Sequence, residues 1–351
     1  MKICDMIINK TRQDKTRQDK TRQDKTRQDK TRQDKNSSCG LLKSSICKQA
    51  DLESKSFREI EEELHTREWL QLYNTINHIK YDESVILHRK SWEFSYIILA
   101  LQALGMIREG RHGLGFAVGI EPLPAFFASK GCEILATDLG IEAEAAAKWA
   151  LAGQNAAGDI SQLNRLHLCS DDVFQRNVRY RNLDMNDIPE DLYGKFDFCW
   201  SSCAIEHVGS LQKSKQFLKN MMNVLRPGGV AVHTTEFNLS SNEATITEGD
   251  SVIYRKKDIL EIATWMTDQG HKMAELDFSL GQQEGDHFID TPPYFRPPAR
   301  YHLRLHIPFM RRFSNRLIDR TFGKVVRYIS RRLGTSGFNA TSIGLIFHKG
   351  V

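Results

Sequence analysis

The sequence predicts an α/β domain built on a mostly parallel sheet with right-handed crossovers. Three observations carry this. Short apolar runs alternate with helix-compatible segments from about residue 113 to residue 279. Gly113–Asp138 reads as strand, loop, helix and strand, with Gly119 after the first strand and an acid at the carboxyl end of the second. A helix ending in Leu225-Arg226-Pro227-Gly228-Gly229 runs straight into an apolar strand at Val230–Thr235.

Taken in order, residues 11–35 are five copies of TRQDK. A five-residue period fits neither strand nor helix, and the repeat has no apolar anchor, so residues 1–50 are expected to be a disordered tail and linker. Residues 51–110 are expected to form an N-terminal helical cap. Arg58–Asn77 is amphipathic, and Arg89–Arg108 is apolar enough for a buried helix. Trp69, Trp92, Phe94 and Tyr96 are read there as packing residues. The remainder, 111–351, is the principal domain. Its strands are placed at Leu114–Val118, Glu133–Ala136, Val178–Asn182, Phe196–Cys203, Val230–Thr235, Met273–Phe278 and Ser342–His348. Helices are expected at Leu123–Ala128, Glu142–Leu151, Ser170–Gln175, Phe217–Leu225 and Lys257–Asp268. Residues 280–341 interrupt the last two strands as a large insertion.

Charge is unevenly placed. The formal total is +5, but residues 1–35 hold twelve Lys or Arg against six Asp, and Arg300–Arg332 holds ten against Asp319. The rest is acidic, so nucleic acid is not an expected partner. The seven cysteines form no C-x-x-C pair, no metal is expected, and reduced thiols suit a cytoplasmic protein. Within the insertion, apolar residues from Met310 to Leu333 recur at helical spacing opposite Arg312, Arg316, Arg320 and Arg327. That is a basic amphipathic pattern: a lid helix, or a peripheral contact with anionic membrane through 300–332.

The first loop bears on the ligand. A dinucleotide needs free amides around its pyrophosphate. Gly119-Ile120-Glu121-Pro122-Leu123-Pro124 has two residues without an amide hydrogen and adds an acid. S-adenosylmethionine carries no phosphate, but a sulfonium, an ammonium and an adenosine, and it suits such a loop better. Asp138, 19 residues past Gly119, would accept from the ribose hydroxyls.

Together Phe116–Leu123 with Asp138, Asp184-Met185, FDFCWSSCAIEHVGS and LRPGGVAVHTTE resemble, in order and spacing, the class I S-adenosylmethionine-dependent methyltransferases. The resemblance implies a Rossmann-like seven-stranded sheet with its last strand antiparallel. It implies S-adenosyl-L-methionine as cofactor, held by Gly119, Glu121, Asp138, Asp184, Met185 and Ser201, with Asp187 competing for the role of Asp184. The glycine-rich loop of the family is reduced here to Gly119. Glu206, His207 and Glu236 are the candidate catalytic residues, with His207 the natural base for a hydroxyl or amine acceptor. Alternation along Ala231–Glu236 puts His233 and Thr235 on one face and Thr234 and Glu236 on the other. The acceptor is expected to be a small molecule, a glycan or a lipid-linked glycan. A non-catalytic binding or scaffold protein of the same fold is the alternative, and a nicotinamide oxidoreductase is disfavoured by the two loop prolines.

Overall fold

The computed structural model describes residues 43–76, 88–143, 146, 149, 153–156, 159–290, 302–306 and 337–351. The repeats, most of the expected helix Glu142–Leu151 and the basic stretch of the insertion beyond His306 lie outside them.

The central strands run parallel in the order β4 (Val178–Asn182), β3 (Glu133–Asp138), β2 (His112–Gly115), β5 (Phe196–Ser202) and β6 (Leu225–Asn238). β11 (Phe338–His348) then pairs antiparallel with β6 from Ala340↔Asn238 to His348↔Val230. The antiparallel last strand is therefore as expected. β5 is buried at every position, which is what a strand covered on both faces requires.

Beyond β11 the edge differs from expectation. Met273–Phe278 is not one strand. Lys272–Met273 (β7) pairs with the end of β11, and Leu276–Asp277 (β8) turns away to pair with Ser44–Ser45 (β1). The start of β11 takes β10 (Leu303–His306) from the insertion, and β10 takes β9 (Ile289–Asp290). An eleven-residue strand offers more edge than one short neighbour can fill, so two segments share it.

Local chemistry sets the other boundaries. Ser170 caps α6 (Asp171–Asn177) by accepting from the Val173 amide. Ser210 caps α7, so this helix runs Leu211–Asn220 and tightens into a 3-10 turn at Met221–Val224, earlier than Phe217–Leu225. Arg226-Pro227-Gly228-Gly229 forms a bulge inside β6: Leu225 pairs with Phe196, and pairing resumes at Val230 with Phe198. Gly228 takes φ +75° there, a left-handed value suited to glycine.

The amino-terminal segment is part of this body from residue 43, not from 51. After β1 come α1 (Gln49–Leu52), α2 (Lys55–Glu63), α3 (Thr66–Ile76) and α4 (Arg89–Ala103). Ile46 and Cys47 are buried. The Cys47 amide donates to Ser342 O at 2.8 Å, and Tyr96 Oη donates to Lys43 O at 2.6 Å. Deletion of residues 1–42 is therefore expected to leave the thermal midpoint unchanged. Deletion of 1–50 empties the Ile46 site, which at about 2–5 kcal/mol should lower the midpoint by roughly 5 °C or more. Equal midpoints for both truncations in a calorimeter would overturn this boundary. α4 ends at Ala103 rather than Arg108, and every residue from Arg89 to Leu101 except Lys90 is buried. It is thus a core helix packed on the sheet, buried as its apolar composition leads one to expect.

Candidate active site

The carboxyl ends of the parallel strands open onto a cavity of about 1050 Å³, where a ligand site is expected in such a sheet. The residues after β2, the end of β3, the turn after β4, the end of β5 and Glu236 of β6 form one wall. Arg89, Lys90 and Phe94 of α4, Trp69 of α3, and Arg304 and His306 of β10 form the other. Two non-glycine residues hold left-handed backbone just past central strands, Ala117 (φ 48°) and Cys203 (φ 49°). Both line the cavity, and strain of this kind is concentrated at functional sites.

One half is built from Gly119, Asp138 and the turn after β4. Gly119 has φ +56°, and its amide donates to Asp138 Oδ2 at 2.9 Å; the Leu139 amide donates to Oδ1 at 2.8 Å. Burial lifts the Asp138 carboxyl to about 6, against the pull of those two amides. A carboxylate offers about four lone-pair sites, so two remain for a vicinal diol. Asp184 Oδ1 accepts from the Asn186 amide at 2.8 Å and from its side chain at 3.0 Å, while Leu183 and Met185 are buried beside it. Pro122 caps α5 (Leu123–Ser129) and Pro124 lies in its first turn, so this helix start presents few amides to an anion. Ribose acceptors, an apolar shelf and a phosphate-poor loop fit an adenosine without phosphate.

Residues 118–233 match the family model described as a methyltransferase domain. Residues 118–233 therefore carry a methyltransferase domain. The ribose acceptors and the proline-bearing first loop fit S-adenosylmethionine. No curated protein matches the sequence. Among solved structures, the methyltransferase-bearing chain is similar to a protein of Galdieria sulphuraria provisionally named sarcosine dimethylglycine methyltransferase, at 14% identity over 80% of this chain and 97% of that one, TM-score 0.47. It is also similar to phosphoethanolamine N-methyltransferase 2 of Haemonchus contortus, solved with phosphomonomethylethanolamine and S-adenosylhomocysteine, at 15% identity over 85% and 61%, TM-score 0.43. A third is an S-adenosylmethionine-dependent methyltransferase of Mesorhizobium loti, at 12% identity over 71% and 96%, TM-score 0.37.

The other half of the cavity is polar. His207 lines it, with Nδ1 2.5 Å from Asp250 O and its ring edge-on to Trp149 at 5.0 Å. A carbonyl can only accept, so Nδ1 carries a hydrogen, and in the neutral ring Nε2 is the basic nitrogen. Glu236 Oε1 is 2.6 Å from Arg89, and Oε2 lies 3.4 Å from His306 Nε2. Neither Oε2 nor that nitrogen has another hydrogen-bond partner among the described residues. Burial alone would raise the Glu236 carboxyl, but Arg89 and His306 hold it well below the usual range. Beneath them Glu93, fully buried, receives Lys90 at 2.8 Å and the Cys203 thiol at 2.9 Å. Burial opposes its charge too, yet Lys90 and Arg89 bring it down to about 2.

Two expectations are corrected here. Ser201 does not line the cavity: it is buried and 2.8 Å from His233 Nδ1 in the core. Pairing of Ser201 with His233 and of Ser202 with Thr234 sets the phase of both strands, so Ser202 is the serine on the cavity. Glu206 also stays off the wall. It is 1% exposed, accepts from the Thr235 hydroxyl at 3.0 Å, and lies 4.0 Å from His207 Nε2. Burial, then the charge of Glu236, raises its carboxyl to about 7. The expected split of His233 and Thr235 from Thr234 and Glu236 agrees with these contacts.

Arg89, Lys90, Glu93, Arg304 and His306 were not among the sequence candidates. The first three had a signal: charges three and four residues apart at the start of an otherwise apolar helix. Arg304 and His306 had none, because their position depends on β10 joining β11. Trp69 and Phe94, read as packing residues, pack on each other at 4.9 Å and also line the cavity.

Proposed function

We propose that the protein transfers a methyl group to a hydroxyl on a polar acceptor, a small molecule or a glycan, including a lipid-linked one. The observation that carries this is the polar half of the cavity, where Glu236 and His306 meet with buried polar atoms still to be satisfied. An unsatisfied carboxylate oxygen beside imidazole and guanidinium suits a group that both donates and accepts, as a hydroxyl does.

When bound, S-adenosylmethionine supplies the methyl group; the acceptor oxygen forms the new C–O bond as the C–S bond breaks and its electron pair stays on sulfur. The protein's part is alignment, water exclusion and proton removal. Asp138, Gly119, Asp184 and Met185 would hold the adenosine. Trp69 and Phe94 would keep water off the reacting groups. His207 Nε2 would take the hydroxyl proton, with Asp250 O holding the ring.

The reading is tested by incubating the protein with methyl-labelled cofactor and candidate acceptors, and by Asp138→Ala. Losing a charged acceptor for two hydroxyls costs about 1.5–3 kcal/mol, a ten- to hundredfold loss of cofactor affinity at most temperatures of interest. Unchanged affinity by calorimetry would remove Asp138 from the site, and label confined to nitrogen would replace the hydroxyl by an amine.

Among the described residues no helix is long and apolar enough to cross a membrane. The excess of cations in Arg300–Arg332 supports peripheral contact with an anionic surface, each contributing about 1 kcal/mol near such a membrane. Salt-sensitive co-sedimentation with anionic but not neutral vesicles, lost on replacing Arg312, Arg316, Arg320 and Arg327 by Gln, is the expected result. Wild-type protein that ignores anionic vesicles at low salt ends this part of the reading.

A further inference from the structure

We propose that Glu121 is the counter-ion for the cationic methionyl end of S-adenosylmethionine and that it gives up a proton when the cofactor binds. The inference rests on the cofactor assignment and goes beyond it, since it specifies how this chain meets the positive charge with a loop that has lost most of its glycines.

Glu121 lies two residues past Gly119, in the loop leaving β2, and lines the cavity. It is 6% exposed. Its Oε1 accepts from the Trp200 indole at 2.6 Å, a neutral donor that aims the carboxyl without supplying charge. The charged groups facing it are Lys90 and Glu93 of α4 and Asp138 of β3. Lys90 is already 2.8 Å from Glu93, and the other two are acids. Among the described residues no lysine, arginine or histidine forms an ion pair with Glu121. A lone carboxylate in such a place is unfavourable, so the group keeps its proton. Consistent with this, burial pushes its carboxyl up to about 8 despite the Trp200 bond.

The cofactor brings what the site lacks. It carries a sulfonium and an ammonium, and a cation beside Glu121 in a dry wall favours the ionised form. The proton leaves to solvent, and the neutral acid becomes half of an ion pair. The sign follows. The free protein holds the proton below about pH 8, and the complex does not, so binding must displace it. Affinity therefore rises with pH, by up to about tenfold per unit, and flattens above pH 8. Asp138, near 6, is already mostly ionised at pH 7 and contributes little to the proton count there.

The test is calorimetry of the full chain with S-adenosylmethionine at pH 7 in two buffers of different ionisation enthalpy, repeated from pH 6 to 8.5. Wild type should release close to one proton per cofactor bound. Glu121→Gln keeps the shape and the oxygen that accepts from Trp200; at pH 7 it should release almost none, and its affinity should be flat in pH above about 7, where Asp138 is ionised. S-adenosylhomocysteine, which lacks the sulfonium, identifies the cation: equal release with both compounds assigns the ammonium, and release with S-adenosylmethionine alone assigns the sulfonium. Binding without proton release in wild type overturns the inference, whatever the variant does, and so does equal release by Glu121→Gln. Absence of binding in both proteins would instead overturn the cofactor assignment.

Discussion

Arg89→Met is expected to destabilise the domain by about 3–5 kcal/mol, the usual penalty for removing one partner of a buried ion pair. Glu236 is 2.6 Å from this guanidinium and Glu93 3.7 Å, and both carboxylates are buried. Lys90 remains for Glu93, so the deficit falls mainly on Glu236. Because Arg89 holds the Glu236 carboxyl below its ordinary range, its contribution is present above that range and is lost as pH falls through the depressed folded value. Without Arg89 the carboxyl can be protonated at mildly acid pH, so the deficit should shrink as pH is lowered. Thermal unfolding of the single variant and of Arg89→Met with Glu236→Gln separates the causes. The double variant should recover most of the loss. A single variant within about 0.5 kcal/mol of wild type, the range of an ordinary surface substitution, would mean that the pair does little for stability.

His207→Ala is expected to lower turnover by about 10²–10⁴ while cofactor affinity stays at the wild-type value. The comparison rests on the Asp250 carbonyl, which leaves Nε2 as the basic atom. Near-full turnover in His207→Ala would move proton removal elsewhere, with His306 the next candidate because it meets Glu236 across the cavity. A parallel loss of cofactor binding would point instead to collapse of the loop between β5 and α7.

Much of the fold was legible because its signals are local. Gly119 and Asp138 announced the first crossover by their place after two short apolar runs. Asp138 accepts from the Gly119 amide, so the pair reads as a unit in space as it did in the chain. The Pro227-Gly228-Gly229 run marked the entry to β6, although it lies inside the strand as a bulge. Met273–Phe278 misled, because an apolar run shows that a segment pairs but not with what. Ile46 was missed for the same reason: a single buried isoleucine in a polar stretch leaves no periodicity.

The site divides along the same line. By itself the sequence determined the alternation of strands and helices that makes a parallel sheet, the acids and apolar residues at the strands' carboxyl ends, and a first loop unsuited to phosphate. Each depends on residues within one turn or one strand of each other. Only the tertiary structure decided that Ser202 rather than Ser201 meets the cavity and that Glu206 is withdrawn while Glu236 is presented, because strand register sets which face looks outward. It also brought Arg89 and Lys90 to Glu93 and Glu236, with Arg304 and His306 opposite. Those residues are far apart in the chain. They converge because α4 packs on the sheet and β10 completes its edge, and long-range packing of that kind leaves no mark on any one stretch of sequence.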